Sequence, residues 1–180
     1  MTAELTAAIE AADQRIKALE GGVRETPLEL SGTLSEEMGL ELLLKCEHLQ
    51  PTGSFKLRGA SNKLLLLSQE ARQRGIITAS SGNHGMATAY AAGLTGTKAK
   101  IFLPEAVSPL KRQTIERFGV DIGLIPGDGI NAEMAAREAA GRDGLTYVSP
   151  YADLEVVAGQ GTTGLEIARQ ADDLAAVFVA

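Results

Sequence analysis

The stretch IITASSGNHGMATAYAA, Ile76 to Ala92, runs from a short β-branched segment through six small or polar residues into an alanine-rich one. It reads as strand, loop and helix in that order. Two glycines, two serines, an asparagine and a histidine between Ser80 and Gly85 place free backbone N–H groups and short polar side chains at a helix N-terminus, which suits a carboxylate or a phosphate. The alternative is a capped tight turn, because Ser and Asn are common caps.

The same alternation extends both ways. Strands are predicted at Glu41 to Glu47, Gly75 to Ala79, Ala99 to Leu103, Asp121 to Ile125 and Leu145 to Val148, with an apolar strand from Ala175 to Ala180. Helices are predicted at Ser54 to Gln69, Asn83 to Ala92, from Ser108-Pro109 to Phe118-Gly119, at Ile130 to Ala140 closed by Gly141, and at Asp153 to Gln170. Leu5, Ile9, Ala12, Ile16 and Leu19 give a first amphipathic helix that stops at Gly21-Gly22. Strands alternating with helices of this length predict an α/β fold in which a parallel sheet is flanked by helices on both faces.

Composition narrows the chemistry. The chain has 180 residues, 44% hydrophobic and 22% charged, enough for one globular domain or two small ones. Its net charge is -6 and its basic residues are scattered, which argues against nucleic acid or an anionic membrane surface as partner. No apolar run reaches the roughly 20 residues of a membrane span, and the N-terminus lacks a signal-peptide core, so the reading is cytoplasmic. Cys46, the sole cysteine, lies in an apolar run and reads as a buried structural thiol. His48 and His84 have no metal-ligand companions at useful spacing, so no metal site is expected. The GxSxG elbow and the Walker loop are absent, and GDGINAE from Gly127 lacks dinucleotide-binding spacing.

That leaves Lys56, in PTGSFKLRGA, Pro51 to Ala60, after the turn-maker Gly53, the N-cap candidate Ser54 and the aromatic Phe55. A lysine attacks carbonyls when burial or neighbouring charge favours its neutral form. Taken together, RETPLELS (Arg24 to Ser31), LLLKCEHLQPTGSFKLRGA (Leu42 to Ala60), ASSGNHG (Ala79 to Gly85) and VVAGQGTTGLEI (Val156 to Ile167) resemble, in order and spacing, the threonine/serine dehydratases. These are fold type II pyridoxal-phosphate enzymes of the tryptophan synthase β-like kind, related to serine racemase.

The resemblance implies that Lys56 forms a Schiff base with pyridoxal 5'-phosphate, that Phe55 packs beside the cofactor and that Asn83 bonds its ring hydroxyl. It implies that Ser80, Ser81, Gly82, Asn83 and His84 hold the substrate carboxylate, with His84 shaping the loop. Ser81 takes the position from which serine racemases supply a second acid/base opposite the lysine. Arg58 is read as structural, and AGQGTTG around Gln160 as packing the returning helix. The implied activity is β-elimination from L-threonine or L-serine, giving a 2-oxo acid and ammonia. Racemisation of serine and dehydration of 3-hydroxyaspartate or another hydroxyamino acid are the nearest alternatives. Tyr151 stands where serine racemase has asparagine, which favours the dehydratase.

By the same likeness the chain is expected to be truncated within a two-domain fold. Residues 1–50 are expected to form the N-terminal helix and the first part of a large cofactor domain, 51–145 a small α/β domain with the SSGNHG loop, and 146–180 an incomplete return to the large domain. The glycine-rich loop for the cofactor phosphate and any divalent-metal site are expected beyond Ala180. An inactive small-molecule-binding fragment is therefore the rival of another class. A homo-oligomer is compatible with the resemblance.

Overall fold

The computed structural model describes residues 2–179. Four parallel strands, β3 (Ile76–Ala79), β4 (Ala99–Pro104), β5 (Asp121–Ile125) and β6 (Thr146–Tyr147), form one sheet in the order β5-β4-β3-β6. The helices between them, α5 (Asn83–Thr95), α6 (Pro109–Glu116) and α7 (Gly129–Asp143), cover both faces. Successive strand residues point to opposite faces, and both faces are apolar. Ile76, Ile101 and Leu103 pack with buried residues of α5 and α6, whereas Ile77 and Phe102 pack against Ala132, Ala136, Ala139 and Ala140 of α7.

Behind α5 lies a helical layer of α3 (Lys56–Leu65), α8 (Leu154–Gln170) and α1 (Thr2–Lys17). Seven of the ten α3 residues are buried, between α5 on one side and α8 on the other. Glycines set the depth of this packing. A Cβ on Gly159 would lie 2.6 Å from both the Arg58 carbonyl oxygen and the Gly59 Cα, and one on Gly59 would lie 2.7 Å from the Val156 carbonyl oxygen. The two backbones therefore touch at Gly59 and Gly159, where any side chain would force them apart. Gln160 uses that closeness: its Oε1 accepts the Gly59 N–H at 3.3 Å, in the first turn of α3.

The Arg58 side chain, fully buried, crosses the same junction. Its guanidinium makes paired bonds to Glu47 at 2.8 and 2.7 Å and to Glu166 at 2.7 and 2.8 Å, and a fifth to Thr162 Oγ1 at 3.2 Å. Lys45 Nζ donates to Glu166 Oε2 at 2.7 Å, to the Thr26 carbonyl at 2.6 Å and to Gln170 Oε1 at 2.9 Å. Burial opposes the guanidinium charge, but hydrogen bonds to Glu47 and Glu166 hold its pKa above the ordinary value. Burial also opposes the Glu166 charge, and Arg58 and Lys45 nonetheless keep its carboxyl below its usual range. Arg58 thus has the structural place expected of it.

Several elements differ from the sequence reading. Phe55, not Ser54, is the N-cap residue of α3; Ser54 Oγ is buried without a hydrogen-bond partner. The helix expected from Ser54 to Gln69 ends at Leu65, and Ser68, whose Oγ accepts the Ala71 N–H, caps a separate helix α4 (Gln69–Arg74) that the sequence reading did not include. Helix α7 runs through Gly141 and closes at Gly144, whose φ of 66° suits glycine. The strand expected at Glu41 to Glu47 shrinks to β2 (Leu43–Lys45), antiparallel to β1 (Leu28–Leu30), with α2 (Gly32–Met38) between them. Residues 175–179 form no strand, since no segment among the described residues pairs with them, and Phe178 is 94% exposed; Ala180 lies outside the described residues. Cys46 is buried, as expected.

The glycine contact predicts that Gly159→Ala lowers the unfolding free energy by about 1–3 kcal/mol through overpacking. On the same helix, a Cβ at exposed Gly164 would meet nothing within 4 Å. Gly164→Ala should therefore be neutral or stabilising by up to about 1 kcal/mol. Denaturant unfolding of both variants measures the contrast, and equal effects would contradict the close crossing.

Candidate functional site

The carboxyl end of β3 leads through Ser80, Ser81 and Gly82 into α5. Gly82 is the N-cap residue in extended conformation, and no side chain caps the helix. Its own N–H donates to Ser80 Oγ at 3.2 Å, which folds the loop onto itself. Gly85 makes that fold sterically possible, because a Cβ there would lie 2.1 Å from the Ser80 carbonyl oxygen. The first-turn N–H groups of α5 are consequently free of a side-chain cap, at the positive end of a 13-residue helix dipole. Asn83 stands exposed at this helix start, while His84 is 3% exposed.

Lys56 is the first residue of α3. Its Nζ lies 5.1 Å from the centroid of the Phe55 ring and donates to the Pro150 carbonyl at 3.2 Å. Two residues earlier, the Val148 carbonyl accepts Thr78 Oγ1 at 2.7 Å and contacts His84 Nε2 at 3.3 Å. A carbonyl only accepts, so this contact assigns the proton to Nε2 and leaves Nδ1 as a lone pair, buried without a partner. Burial pushes the His84 pKa down to about 4, and the positive charge of Lys56 acts in the same direction. The imidazole is neutral at physiological pH.

The segment from Val148 to Pro150 thus binds both the SSGNHG loop, through His84, and Lys56. Among the residues expected at the site, the structure joins Lys56 and His84 through this segment, sets Phe55 against Lys56, and places Ser80, Gly82 and Asn83 in the loop beside it. Ser81 lines a cleft of about 500 Å³ with Pro104, Val107, Lys111 and Asp128, at the carboxyl ends of β4 and β5. The carbonyls of Val148 and Pro150 escaped the sequence reading, since a backbone acceptor has no side-chain signature. The only pointer to them was a short strand followed by Ser149-Pro150.

An amine held against an aromatic face, next to an uncapped helix N-terminus, can take an aldehyde and an anion side by side. A family profile described as "Pyridoxal-phosphate dependent enzyme" matches residues 19–180. The chain belongs to this family. Relatives in it include a putative threonine dehydratase of Sinorhizobium fredii, 37% identical over 95% of this chain and 52% of that protein. Another is an L-threonine ammonia-lyase of Thermotoga maritima, 42% identical over 91% of this chain and 41% of that protein. The fold matches processed threonine deaminase isoform 2 of Solanum lycopersicum with a TM-score of 0.89 and 36% identity, over 97% of this chain and 50% of that one. It also matches serine racemase of Dictyostelium discoideum with a TM-score of 0.84 and 34% identity, over 93% of this chain and 54% of that one. The chain spans about half the length of these relatives or less. Its residues fit the aldehyde end of the family's cofactor: Lys56 offers the amine and Phe55 the aromatic face.

His84 supplies a direct check of the site's electrostatics. In a His48→Gln variant, the remaining imidazole should titrate near pH 4 by NMR; titration near 6.5 would contradict the burial described. Because the folded value lies below that of the unfolded chain, stability is fully present above about pH 6.5 and is lost as pH falls through 4. The loss from this group is roughly 3 kcal/mol.

Proposed function

We propose that the chain serves a pyridoxal-phosphate-dependent ammonia-lyase reaction that converts L-threonine or L-serine into a 2-oxo acid and ammonia. The observation that carries this reading is the shared segment: Val148 anchors the anion-binding loop through His84, and Pro150 receives the lysine. The naming of relatives at 37–42% identity as threonine dehydratase and L-threonine ammonia-lyase supports the choice of reaction.

When bound, pyridoxal phosphate supplies the electron sink that makes the Cα–H bond of an amino acid acidic. Lys56 would hold it through its amine, and the same amine, when free, is placed to take the Cα proton of the substrate. The Cα–H electron pair becomes the Cα–Cβ double bond as the β-hydroxyl leaves as water with the proton that Lys56 took from Cα. The resulting enamine tautomerises to an imine, water adds, and ammonia departs from the 2-oxo acid, so the water lost in one step returns in the other. Ser80 to His84 hold the substrate carboxylate at the uncapped N-terminus of α5. Asn83 would offer its side-chain amide to the ring hydroxyl, and Ser81 would serve as the second acid/base, on the side of Cα away from Lys56. Neutral His84 matters here, because a second cation would resist the ammonium that Lys56 becomes on taking the proton. In this reading residues 51–145 form the smaller domain that carries the loop.

Borohydride reduction in the presence of pyridoxal phosphate should add the reduced cofactor to Lys56, as read by peptide mass spectrometry, and Lys56→Ala should abolish the label. Labelling at another lysine would overturn the site. Incubation with L-threonine and L-serine should release a 2-oxo acid and ammonia in equal amounts. Formation of D-serine without 2-oxo acid would instead make the reaction a racemisation.

A further inference from the structure

The turn after β6 is held from two sides. Within it, Ser149 Oγ accepts the N–H groups of Tyr151 at 3.4 Å and Ala152 at 3.1 Å. From outside, the Tyr151 hydroxyl donates to Glu133 Oε1 on α7. Arg137, one helical turn on, donates to that same oxygen through Nε at 3.1 Å and Nη2 at 2.8 Å. Its guanidinium also sits over the Tyr147 ring, 4.4 Å from the centroid. The residues on either side of Val148 to Pro150 are therefore both fastened to α7, Tyr147 by stacking and Tyr151 by its hydroxyl. Between them lies the carbonyl that receives Lys56.

We propose that Tyr151 and Glu133 form a clamp that sets the Pro150 carbonyl against Lys56, which makes both of them positioning residues for the reactive lysine. An exposed hydrogen bond of this kind contributes little to stability. Its effect is directional: Pro150 is the immediate neighbour of Tyr151, so the orientation of its peptide follows where the tyrosine is anchored. Hydrogen bonds from Tyr151 and then Arg137 hold the Glu133 carboxyl below its usual range, so the acceptor is ionised at neutral pH. The proposal rests on Lys56 being the lysine of the reaction above, but its effect on that amine is readable without cofactor or turnover.

The test is reductive methylation with formaldehyde and cyanoborohydride, followed lysine by lysine by peptide mass spectrometry, with exposed Lys98 and Lys111 as references. Tyr151→Phe and Glu133→Ala should each speed labelling of Lys56 about threefold to tenfold, as expected for partial loss of one hydrogen bond to a charged group. Glu133→Gln keeps an oxygen for the tyrosine hydroxyl and should return the rate toward that of the unaltered chain. An unchanged Lys56 rate in Tyr151→Phe and Glu133→Ala would overturn the clamp, and so would an equal rise at Lys98 and Lys111. If borohydride fails to fix pyridoxal phosphate on Lys56 while these variants still alter its methylation, the clamp stands and the assigned reaction falls.

Discussion

A fully buried guanidinium costs several kilocalories per mole in lost hydration unless every donor is met, and Arg58 meets that demand only where α3, α8 and the turn after β2 come together. Two cations, Arg58 and Lys45, face two carboxylates, Glu47 and Glu166, so the buried charge balances. The planar fork of arginine matches two carboxylates at once, which a lysine could not do. Such a set fixes geometry more than it adds stability, because α3 can satisfy it in only one place along α8.

Lys56 lies two residues before Arg58, so the start of α3 is fixed by the same network. The glycine contact at Gly59 and Gly159 sets the distance between the helices, and Arg58 with its partners sets the register. On the other side of α3, α5 brings the SSGNHG loop up beside the segment from Val148 to Pro150. The site is a meeting of three independently anchored pieces: the first turn of α3, the first turn of α5 and the turn after β6.

The alternation of strands and helices was legible because period-2 and period-3.6 patterns survive in the sequence, and so was the cap Ser108, whose side chain accepts a backbone N–H group as expected. Strand β1 and its antiparallel pairing with β2 were not, since a strand of three residues shows no period. Gly141 misled because a glycine inside a helix looks like one that ends it; only the positive φ at Gly144 separates the two. The apolar run near the C-terminus read as a strand, but strand composition without a pairing partner makes no strand. Lys56 and the SSGNHG loop stood out through a specific family resemblance. The ion network was invisible because Arg58 and Glu166 are 108 residues apart and neither sits in a pattern that announces the other.

Arg58 and Glu166 act energetically as one unit joining α3 to α8. A double-mutant cycle on denaturant unfolding, with Arg58→Met, Glu166→Met and the pair, measures that coupling. Each single change leaves a buried charge short of one partner and should cost about 3–5 kcal/mol, whereas the double should cost at least about 2 kcal/mol less than the sum. Additive effects, or single changes costing less than about 0.5 kcal/mol, within the range of ordinary surface substitutions, would contradict it.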